Sequence, residues 1–270
     1  MKALRFLLII VCTLSLTGCA STKQADSDSS LGKAQQTLDS LYQHYSAKDS
    51  YLLRESYPFD EQHKVTYLAS EDQANMPNQF SYLWPYSGTF SAVNALLEAT
   101  HDKKYQQLLD KRVLPGLEEY FDIQRTPNAY SSYIQTAPTS DRFYDDNVWL
   151  GIDFTDIYQI TQEKRYLDKA QLIWKFIESG TDSLLGGGIY WCEQKKESKN
   201  TCSNAPGSVL ALKLFKATND SIYFRQGKEL YEWTQKNLQD STDYLYFDNI
   251  GLDRKTVSYT HLTLPTILLV

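Results

Sequence analysis

The sequence predicts an all-α protein folded as an α/α barrel, in which an inner ring of helices is wrapped by an outer ring. The prediction starts from three polar turns with a shared pattern, residues 100–105 (THDKKY), 161–166 (TQEKRY) and 218–223 (TNDSIY). Their starts lie 61 and 57 residues apart, and each turn separates two stretches with helical periodicity. A helical hairpin repeated at such a period is typical of helical arrays and toroids.

The helices before and after each turn differ in their apolar pattern. Residues 90–97, 148–160 and 209–215 are apolar on nearly every side, which predicts helices that are packed on both faces. After the second turn, the apolar residues instead follow one stripe at helical spacing: Tyr166, Ala170, Ile173, Trp174 and Ile177. The alternation assigns the first kind of helix to the inner ring and the second kind to the outer ring.

About seven helices are predicted, and regular strands have little place among them. They cover residues 32–47, 87–99, 103–123, 146–160, 164–179, 204–217 and 221–239. Because a closed six-hairpin barrel has twelve helices, we expect an incomplete (α/α)6 barrel over residues 32–256, with a smaller helical array as the alternative. Residues 257–270 lack Asp, Glu, Lys and Arg and have no helical period, so they are interpreted as a non-native tail on a truncated reading frame. The alternative is a genuine apolar C-terminal strand.

The N-terminus predicts export. Lys2 and Arg5 precede an apolar run too short for a membrane span, so residues 1–18 are interpreted as a lipoprotein signal peptide. Leu16 to Cys19 resemble a lipobox, which makes Cys19 the lipidation site; ordinary signal cleavage beside an incidental cysteine is the alternative. Residues 19–31 are small and polar, as in a flexible tether. We therefore expect a protein lipid-anchored in the outer membrane, at its periplasmic face or at the cell surface.

Composition narrows the class of partner. The net charge is −6 and no Lys/Arg cluster follows the signal peptide, so nucleic acid is not an expected partner. The 20 Tyr and 5 Trp favour a glycan ligand weakly, since aromatic rings also fill ordinary cores. The four histidines are scattered, so no metal or other cofactor is expected, and we expect a monomer. Cys192 and Cys202 are candidates for a disulfide in an exported chain.

Three loops lead into the inner helices and therefore meet at one end of the barrel. They are residues 82–88 (YLWPYSG), 143–149 (FYDDNVW) and 186–204, which begins with three glycines. The middle loop holds the adjacent carboxylates Asp145 and Asp146, which serve either as a helix cap or as a pair for acid–base chemistry. Adjacent side chains diverge by about 100° within a helix, so two cooperating carboxylates have to lie at the helix entrance, with Asp145 on the loop side.

These loops carry a family resemblance. The segments YLWPYSGTFSAVNAL, YDDNVWLGIDF and GGGIYWCEQKKESKNTCSNAP resemble glycoside hydrolase family 76, the endo-α-1,6-mannanases, over about residues 35–255. The resemblance implies an (α/α)6 barrel and hydrolysis with retention of anomeric configuration. It also implies that Asp145 is the nucleophile and Asp146 the acid/base. Asp153 shares a helical face with Asp146, and either tunes it or makes a buried structural hydrogen bond.

The same loops supply candidate sugar contacts, chosen for stacking and for hydrogen bonding to hydroxyl groups: Trp84, Tyr86, Tyr144, Trp149, Trp191 and Asn204. Each aromatic residue is equally a candidate for the core. The lysines at 195, 196 and 199 are interpreted as a solvated basic surface, and binding of phosphate on a decorated mannan is the alternative.

The expected function is a lipid-anchored retaining endo-α-1,6-mannanase that binds α-mannan polysaccharide or oligosaccharide. One alternative is a glycan-binding lipoprotein without turnover. Another is a different α/α-barrel carbohydrate enzyme, such as an epimerase or an unsaturated uronyl hydrolase. The intact aspartate pair argues against the first alternative, and the absence of histidines from the three loops argues against an epimerase.

Overall fold

The computed structural model describes residues 29–62, 64 and 78–258 of the 270-residue chain. The predicted signal peptide, Cys19 and residues 259–270 lie outside the described residues. Seven helices occupy the described part, as predicted: α1 (Ser30–Tyr45), α2 (Leu83–Thr100), α3, α4 (Tyr144–Thr161), α5 (Lys164–Ser179), α6 (Thr201–Thr218) and α7 (Ser221–Leu238). Helix α3 runs through Lys103–Leu108, a π-helical turn at Leu109–Val113, and Leu114–Glu118.

The helices form three hairpins of an α/α barrel. Helices α2, α4 and α6 pack side by side as the inner layer, and α3, α5 and α7 return along the outside. Each inner helix is 18 residues long. Between α4 and α6 the approach is close, because a side chain at Gly151 would meet Leu210 Cδ2 at 2.5 Å. Within the described residues, no helix is long and apolar enough to cross a membrane.

The three repeated turns share one hydrogen-bonding scheme. Each threonine hydroxyl donates to the carbonyl four residues before it and accepts the backbone N–H two residues after it. The intervening residue, His101, Gln162 or Asn219, takes a left-handed conformation with φ of 55–59° and ends the inner helix. Asp102 and Asp220 then cap the following outer helix by accepting backbone N–H groups.

Burial follows the predicted inner and outer pattern. The stripe predicted on α5 is buried along its whole length, from Tyr166 to Ile177. On the inner helices, buried residues occur on several faces, and Phe90 meets Phe154 edge to face with ring centroids 4.9 Å apart. Each large apolar side chain removed from water in this way contributes about 1.5–3 kcal/mol.

Two small antiparallel sheets lie in the loops. Strand β1 (Phe121–Asp122) pairs with β2 (Ala129–Tyr130). Strand β3 (Ser198–Asn200) pairs with β4 (Asn249–Gly251), which pairs with β5 (Thr256–Val257). The sequence did not predict these short strands. Val257 belongs to β5, so pairing continues into the first residue of the predicted tail.

Candidate active site

A cavity of about 530 Å³ lies where the three inner helices begin. The N-cap residue and the second residue of each helix line it: Tyr82 and Trp84 from α2, Phe143 and Asp145 from α4, and Asn200 and Cys202 from α6. The three helices are aligned with one another in the same way as the sequence repeat. Residues at the same two positions of each helix therefore line the same cavity. The three loops therefore do meet at one end of the barrel.

The aspartate pair lies in the first turn of α4, as the geometric argument required. Asp145 and Asp146 are the second and third residues of the helix, while Phe143 is the N-cap and provides no side-chain cap. Neither aspartate is therefore the N-cap. The unpaired N–H groups and the positive end of the helix dipole lie at this turn and favour negative charge there. Both carboxylates line the cavity.

The surroundings of the two aspartates affect their pKa values differently. Burial raises the pKa of Asp145, and the indole N–H of Trp191 together with the thiol of Cys202 opposes that rise. The pKa of Asp146 is raised further, by burial and by the negative charge of Asp145. At neutral pH this arrangement favours an ionised Asp145 beside a protonated Asp146.

Trp191 reaches the pair from the loop before α6. Its Nε1–H donates to Asp145 Oδ2 at 3.2 Å, and its ring packs against Phe143 with centroids 4.9 Å apart. The backbone holds this contact in place, because Tyr144 N–H donates to the carbonyl of Trp191 at 2.9 Å. The strand-like segment at 191–193 therefore runs directly beside the start of α4.

A buried arginine fastens the same two segments. Arg142 is fully buried, donates from Nε to Glu193 Oε2 at 2.8 Å, and donates from Nη1 to the carbonyl of Pro127 at 2.9 Å. Burial opposes the charged carboxylate, but the hydrogen bonds and charge of Arg142 outweigh it and hold the pKa of Glu193 below its ordinary value. The ion pair thus secures the segment that leads into Asp145 and Asp146.

Lys199 is an internal clamp, which corrects its interpretation as a surface residue. The side chain has no exposed area, and Nζ donates to Asp182 Oδ1 at 2.7 Å and to the carbonyls of Leu184 and Gly187 at 2.9 and 2.6 Å. The glycine loop that it holds needs left-handed backbone at three successive residues, 186–188. This loop precedes Trp191, so the hydrogen bonds of Lys199 stabilise the segment that leads to this wall of the cavity.

The three tryptophans nominated as sugar contacts are accessible at the site. Trp84 and Trp191 line the cavity. Trp84 also borders a neighbouring groove of about 330 Å³, whose other side holds Trp149. Trp84 and Trp149 are 61% and 47% exposed, so each presents aromatic surface to solvent, of the kind on which sugar rings stack.

Three other nominated residues are structural. Tyr86 is buried and its hydroxyl donates to the carbonyl of Val113 at 3.0 Å, while Tyr144 is buried with its ring stacked on Phe176. Asn204 is fully buried and exchanges two hydrogen bonds with the backbone of Ile189. The prediction that these three contact sugar is wrong, because their positions on the helices face neighbouring elements and not the cavity.

The predicted disulfide is absent from the described residues, where Cys192 and Cys202 are both free thiols. Cys192 is buried in the segment that bridges to Phe143, whereas Cys202 is exposed on the first turn of α6 and lines the cavity. Strand β3 separates the two, so closeness in sequence does not bring the sulfur atoms together.

Asp153 makes the buried structural hydrogen bond that was the alternative to a tuning role. Ser91 Oγ donates to its Oδ2 at 2.7 Å, and Asn94 Nδ2 donates to its carbonyl at 2.9 Å. Burial raises the pKa of Asp153 to about 7. The carboxyl therefore ties α4 to α2.

Eight residues that line the cavity were not predicted from the sequence to do so, although Cys202 was a disulfide candidate: Tyr82, Ser132, Phe143, Ser198, Asn200, Cys202, Asp248 and Asn249. Asp248 and Asn249 arrive with β4, which pairs Asn249 with Asn200. The repeat register was the signal for Tyr82, Phe143, Asn200 and Cys202, since these occupy equivalent positions of the inner helices. No side-chain cluster in the described ranges has the composition and geometry to hold a metal ion.

Comparison with known proteins assigns the family. The family model described as glycosyl hydrolase family 76 matches residues 56–264. The chain belongs to glycosyl hydrolase family 76. No curated protein matches the chain. Membership of family 76 agrees with the resemblance of the three loop segments and with the α/α hairpins.

Solved family 76 structures share the fold. A family 76 mannosidase from Bacteroides thetaiotaomicron is 31% identical, with a TM-score of 0.69 over 82% of this chain and 57% of its own. A family 76 glycoside hydrolase from a bovine Bacteroides thetaiotaomicron strain is 30% identical, with a TM-score of 0.68 over 83% of this chain and 46% of its own. The chain thus spans about half the length of these relatives.

A more distant structure is that of an inactive enzyme variant with a bound oligosaccharide. It is an α-1,6-mannanase from a Salegentibacter species, 24% identical, with a TM-score of 0.62 over 84% of this chain and 58% of its own. That variant is inactive through replacement of two consecutive aspartates by asparagine, and it was solved with α-1,6-mannotriose.

Proposed function

We propose that the chain hydrolyses α-1,6-mannan backbones internally and with retention of anomeric configuration, using Asp145 as nucleophile and Asp146 as acid/base. The observation that carries the proposal is the placement of both carboxylates in the first turn of α4, on one cavity, where the indole N–H of Trp191 donates to Asp145. The consecutive aspartates whose replacement inactivates the Salegentibacter mannanase support it.

The chemistry needs two carboxyl groups in different protonation states. Ionised Asp145 attacks the anomeric carbon, while protonated Asp146 donates its proton to the departing glycosidic oxygen, which leaves a glycosyl ester on Asp145. Asp146, now ionised, removes a proton from a water molecule that hydrolyses the ester. Trp191 holds the nucleophile by its hydrogen bond to Asp145 Oδ2.

The charge of the cavity favours a neutral sugar as substrate. Asp145, Asp146 and Asp248 line it, and none of its described lining residues is a lysine, an arginine or a histidine. Carboxylates stabilise the positive charge that develops on the sugar ring in the transition state. They repel an anionic uronate, which disfavours the uronyl hydrolase alternative, and the lack of histidine disfavours the epimerase.

The test is cleavage of linear α-1,6-mannan by the full chain and by Asp145→Asn and Asp146→Asn. Each variant should lose at least about 1,000-fold in kcat/KM, because each removes a group that acts only in the transition state. Asp156→Asn is the matched control, since Asp156 lies on the same helix and pairs with Lys213. Substantial cleavage by either active-site variant contradicts the assignment.

Stereochemistry tests the mechanism separately. The first product followed by NMR should have the α configuration, and a first product with the β configuration would mean inversion. Partial hydrolysis should yield fragments of mixed length, as expected for internal cleavage. Release of single mannose units from one end would restrict the activity to an exo mode.

We also propose that Cys19 is lipidated and anchors the protein in the outer membrane. The support is the basic and apolar N-terminal segment followed by Leu16-Thr17-Gly18-Cys19. Cells grown with labelled palmitate should incorporate label into the parent protein and not into Cys19→Ala. Labelling of Cys19→Ala, or recovery of the unlabelled parent in the soluble fraction, contradicts the anchor.

A further inference from the structure

The cavity that holds the aspartate pair has a buried serine hydroxyl in its wall. Ser132 is 3% exposed and lines this cavity together with Asp145 and Asp146. Within the described part of the chain, Ser132 Oγ has no hydrogen-bond partner. A buried polar group normally has one, because removal from water without a replacement bond costs free energy. The hydroxyl therefore keeps its capacity to donate and to accept for a group that enters the cavity.

The backbone of Ser132 is fixed on both sides. Its N–H donates to the carbonyl of Asp141 at 2.8 Å, and its carbonyl accepts the N–H of Leu83 at 2.8 Å. Leu83 is the first residue of α2, so the second bond ties Ser132 to the start of the helix that carries Trp84. The side chain itself rotates about the Cα–Cβ bond alone. The hydroxyl is thus held in place before a ligand arrives, which lowers the ordering cost of binding.

Two other serines in the same region are engaged with protein groups. Ser131 is also buried, and its Oγ accepts a hydrogen bond from Arg125 Nη2 at 3.0 Å. Ser198 lines the same cavity, and its Oγ donates to Asn200 Oδ1 at 2.8 Å. Ser131 therefore stabilises the loop and Ser198 stabilises the opposite wall, whereas the hydroxyl of Ser132 does neither.

The surroundings of Ser132 suit a sugar. Trp84, on the helix to which Ser132 is bonded, lines the same cavity and presents its ring to solvent. An aromatic lining with a few well-placed polar groups is typical of small-molecule sites. A serine hydroxyl carries no charge and both donates and accepts, as a sugar hydroxyl does. A ligand that lacks the matching hydroxyl would leave Ser132 unpaired in a dry setting, so the position discriminates between ligands.

We propose that Ser132 is a specificity-determining residue that exchanges a hydrogen bond with a hydroxyl group of the mannosyl unit bound in the cavity. The inference rests on the proposed function for the identity of the sugar, but sugar binding is measurable without cleavage. It predicts different consequences for stability and for binding. Ser132→Ala removes a hydroxyl without a partner in the free protein, so the fold keeps its stability while the sugar complex is weakened.

The experiment is a calorimetric titration of α-1,6-mannotriose into Asp145→Asn, which leaves the ligand uncleaved, and into the same variant carrying Ser132→Ala. We expect Ser132→Ala to raise the Kd by about 3- to 10-fold, as the loss of one hydrogen bond between neutral groups implies. The Tm should stay within about 2 °C of the background variant or rise above it.

Ser131→Ala in the same background is the matched control, because it removes the neighbouring serine hydroxyl that does have a partner. It should lower the Tm by about 3–8 °C, since a bond to a charged group is lost, and leave the Kd within about twofold. The two adjacent serines thus have opposite predicted profiles.

Monodeoxy analogues of the trisaccharide show whether the contact is direct. One analogue should bind Asp145→Asn as weakly as the full sugar binds the variant that also carries Ser132→Ala. Ser132→Ala should weaken the binding of that analogue no further, because the group that Ser132 contacts is already missing. Equal weakening for every analogue would mean an indirect effect and overturn the contact.

The remaining outcomes separate this inference from the proposed function. A Kd within about 1.5-fold of the background in Ser132→Ala, or no measurable binding to Asp145→Asn, overturns the contact. A fall in Tm of more than about 5 °C in Ser132→Ala also overturns it, because the hydroxyl would then be structural. Cleavage of α-1,6-mannan with kcat/KM unchanged by Ser132→Ala keeps the mannanase proposal and rejects the contact. An inactive parent with the predicted changes in Kd rejects the mannanase proposal and keeps the contact.

Discussion

The buried amide of Asn204 allows a quantitative test of whether this residue is structural or contacts the sugar. Its Oδ1 accepts the N–H of Ile189 at 2.6 Å, and its Nδ2 donates to the carbonyls of Ile189 and Asn200 at 2.8 Å each. Asn204 and Ile189 are both fully buried. Asn204→Ala therefore leaves backbone groups of Ile189 without partners in a dry setting, where no water replaces the lost amide.

The expected cost follows from these three bonds. Each contributes about 1 kcal/mol net, and a buried backbone group left unpaired costs about 1–3 kcal/mol. We expect Asn204→Ala to lower the free energy of unfolding by about 3 kcal/mol, which corresponds to a fall in Tm of about 6–12 °C in a domain of this size. The KM for α-1,6-mannan should stay within about twofold of the parent, because an amide engaged in this way has no free group for sugar.

Urea unfolding followed by tryptophan fluorescence measures the first quantity, and initial rates on α-1,6-mannan measure the second. Asn237→Ala is the matched control, since Asn237 is half-buried on α7 and makes one hydrogen bond, to the carbonyl of Trp233. It should cost under about 1 kcal/mol. An unchanged unfolding free energy in Asn204→Ala combined with a raised KM would refute the structural role and restore Asn204 as a sugar contact.

Two further predictions concern buried charge. The pKa of Asp153 is raised to about 7, so the contribution of this group to the stability of the parent should be lost as pH rises from about 4 to about 7. The free energy of unfolding of Asp153→Asn should therefore exceed that of the parent by about 2–4 kcal/mol at pH 8. At pH 4 the two free energies should differ little. A pH-independent difference, measured by urea unfolding, would contradict this. Arg142→Met should cost about 3–5 kcal/mol at pH 7, because Glu193 loses the partner that lowers its pKa. That deficit should shrink as acid protonates Glu193, and a deficit that grows toward pH 4 would contradict the ion pair.

The sequence predicted the hairpins well because their turns are local. Threonine, a left-handed residue and an acidic residue occupy three consecutive positions of each turn, so the pattern of side chains alone marks the bend. The stripe on α5 was equally accessible, since its period reports burial directly. The short strands were not, because β3 and β4 lie about 50 residues apart and pair through backbone groups that no side-chain pattern encodes.

The residues of the candidate site also differed in how well they could be predicted from the sequence. The aspartate pair and the tryptophans of the loops were found by motif, but loop membership alone did not separate Trp84 from Tyr86, two positions away on the same helix. Their directions differ by about 200° around the helix axis, so one lines the cavity and the other packs against α3. The burial of Lys199 was not predicted, because the residues around an inward-facing strand residue do not indicate that its hydrogen-bond partners are loop carbonyls.

The shared register of the inner helices separates folding from chemistry along the chain. The fourth helical residue bonds neighbouring segments in each hairpin, while the second residue carries an indole, a carboxylate or a thiol with no change in backbone. The second position is thus the one whose side chain lines the cavity, and the fourth is the one that joins each hairpin to neighbouring segments. A change of residue at the second position of any of these helices therefore changes the chemistry of the cavity directly, because the helix already directs that side chain into it.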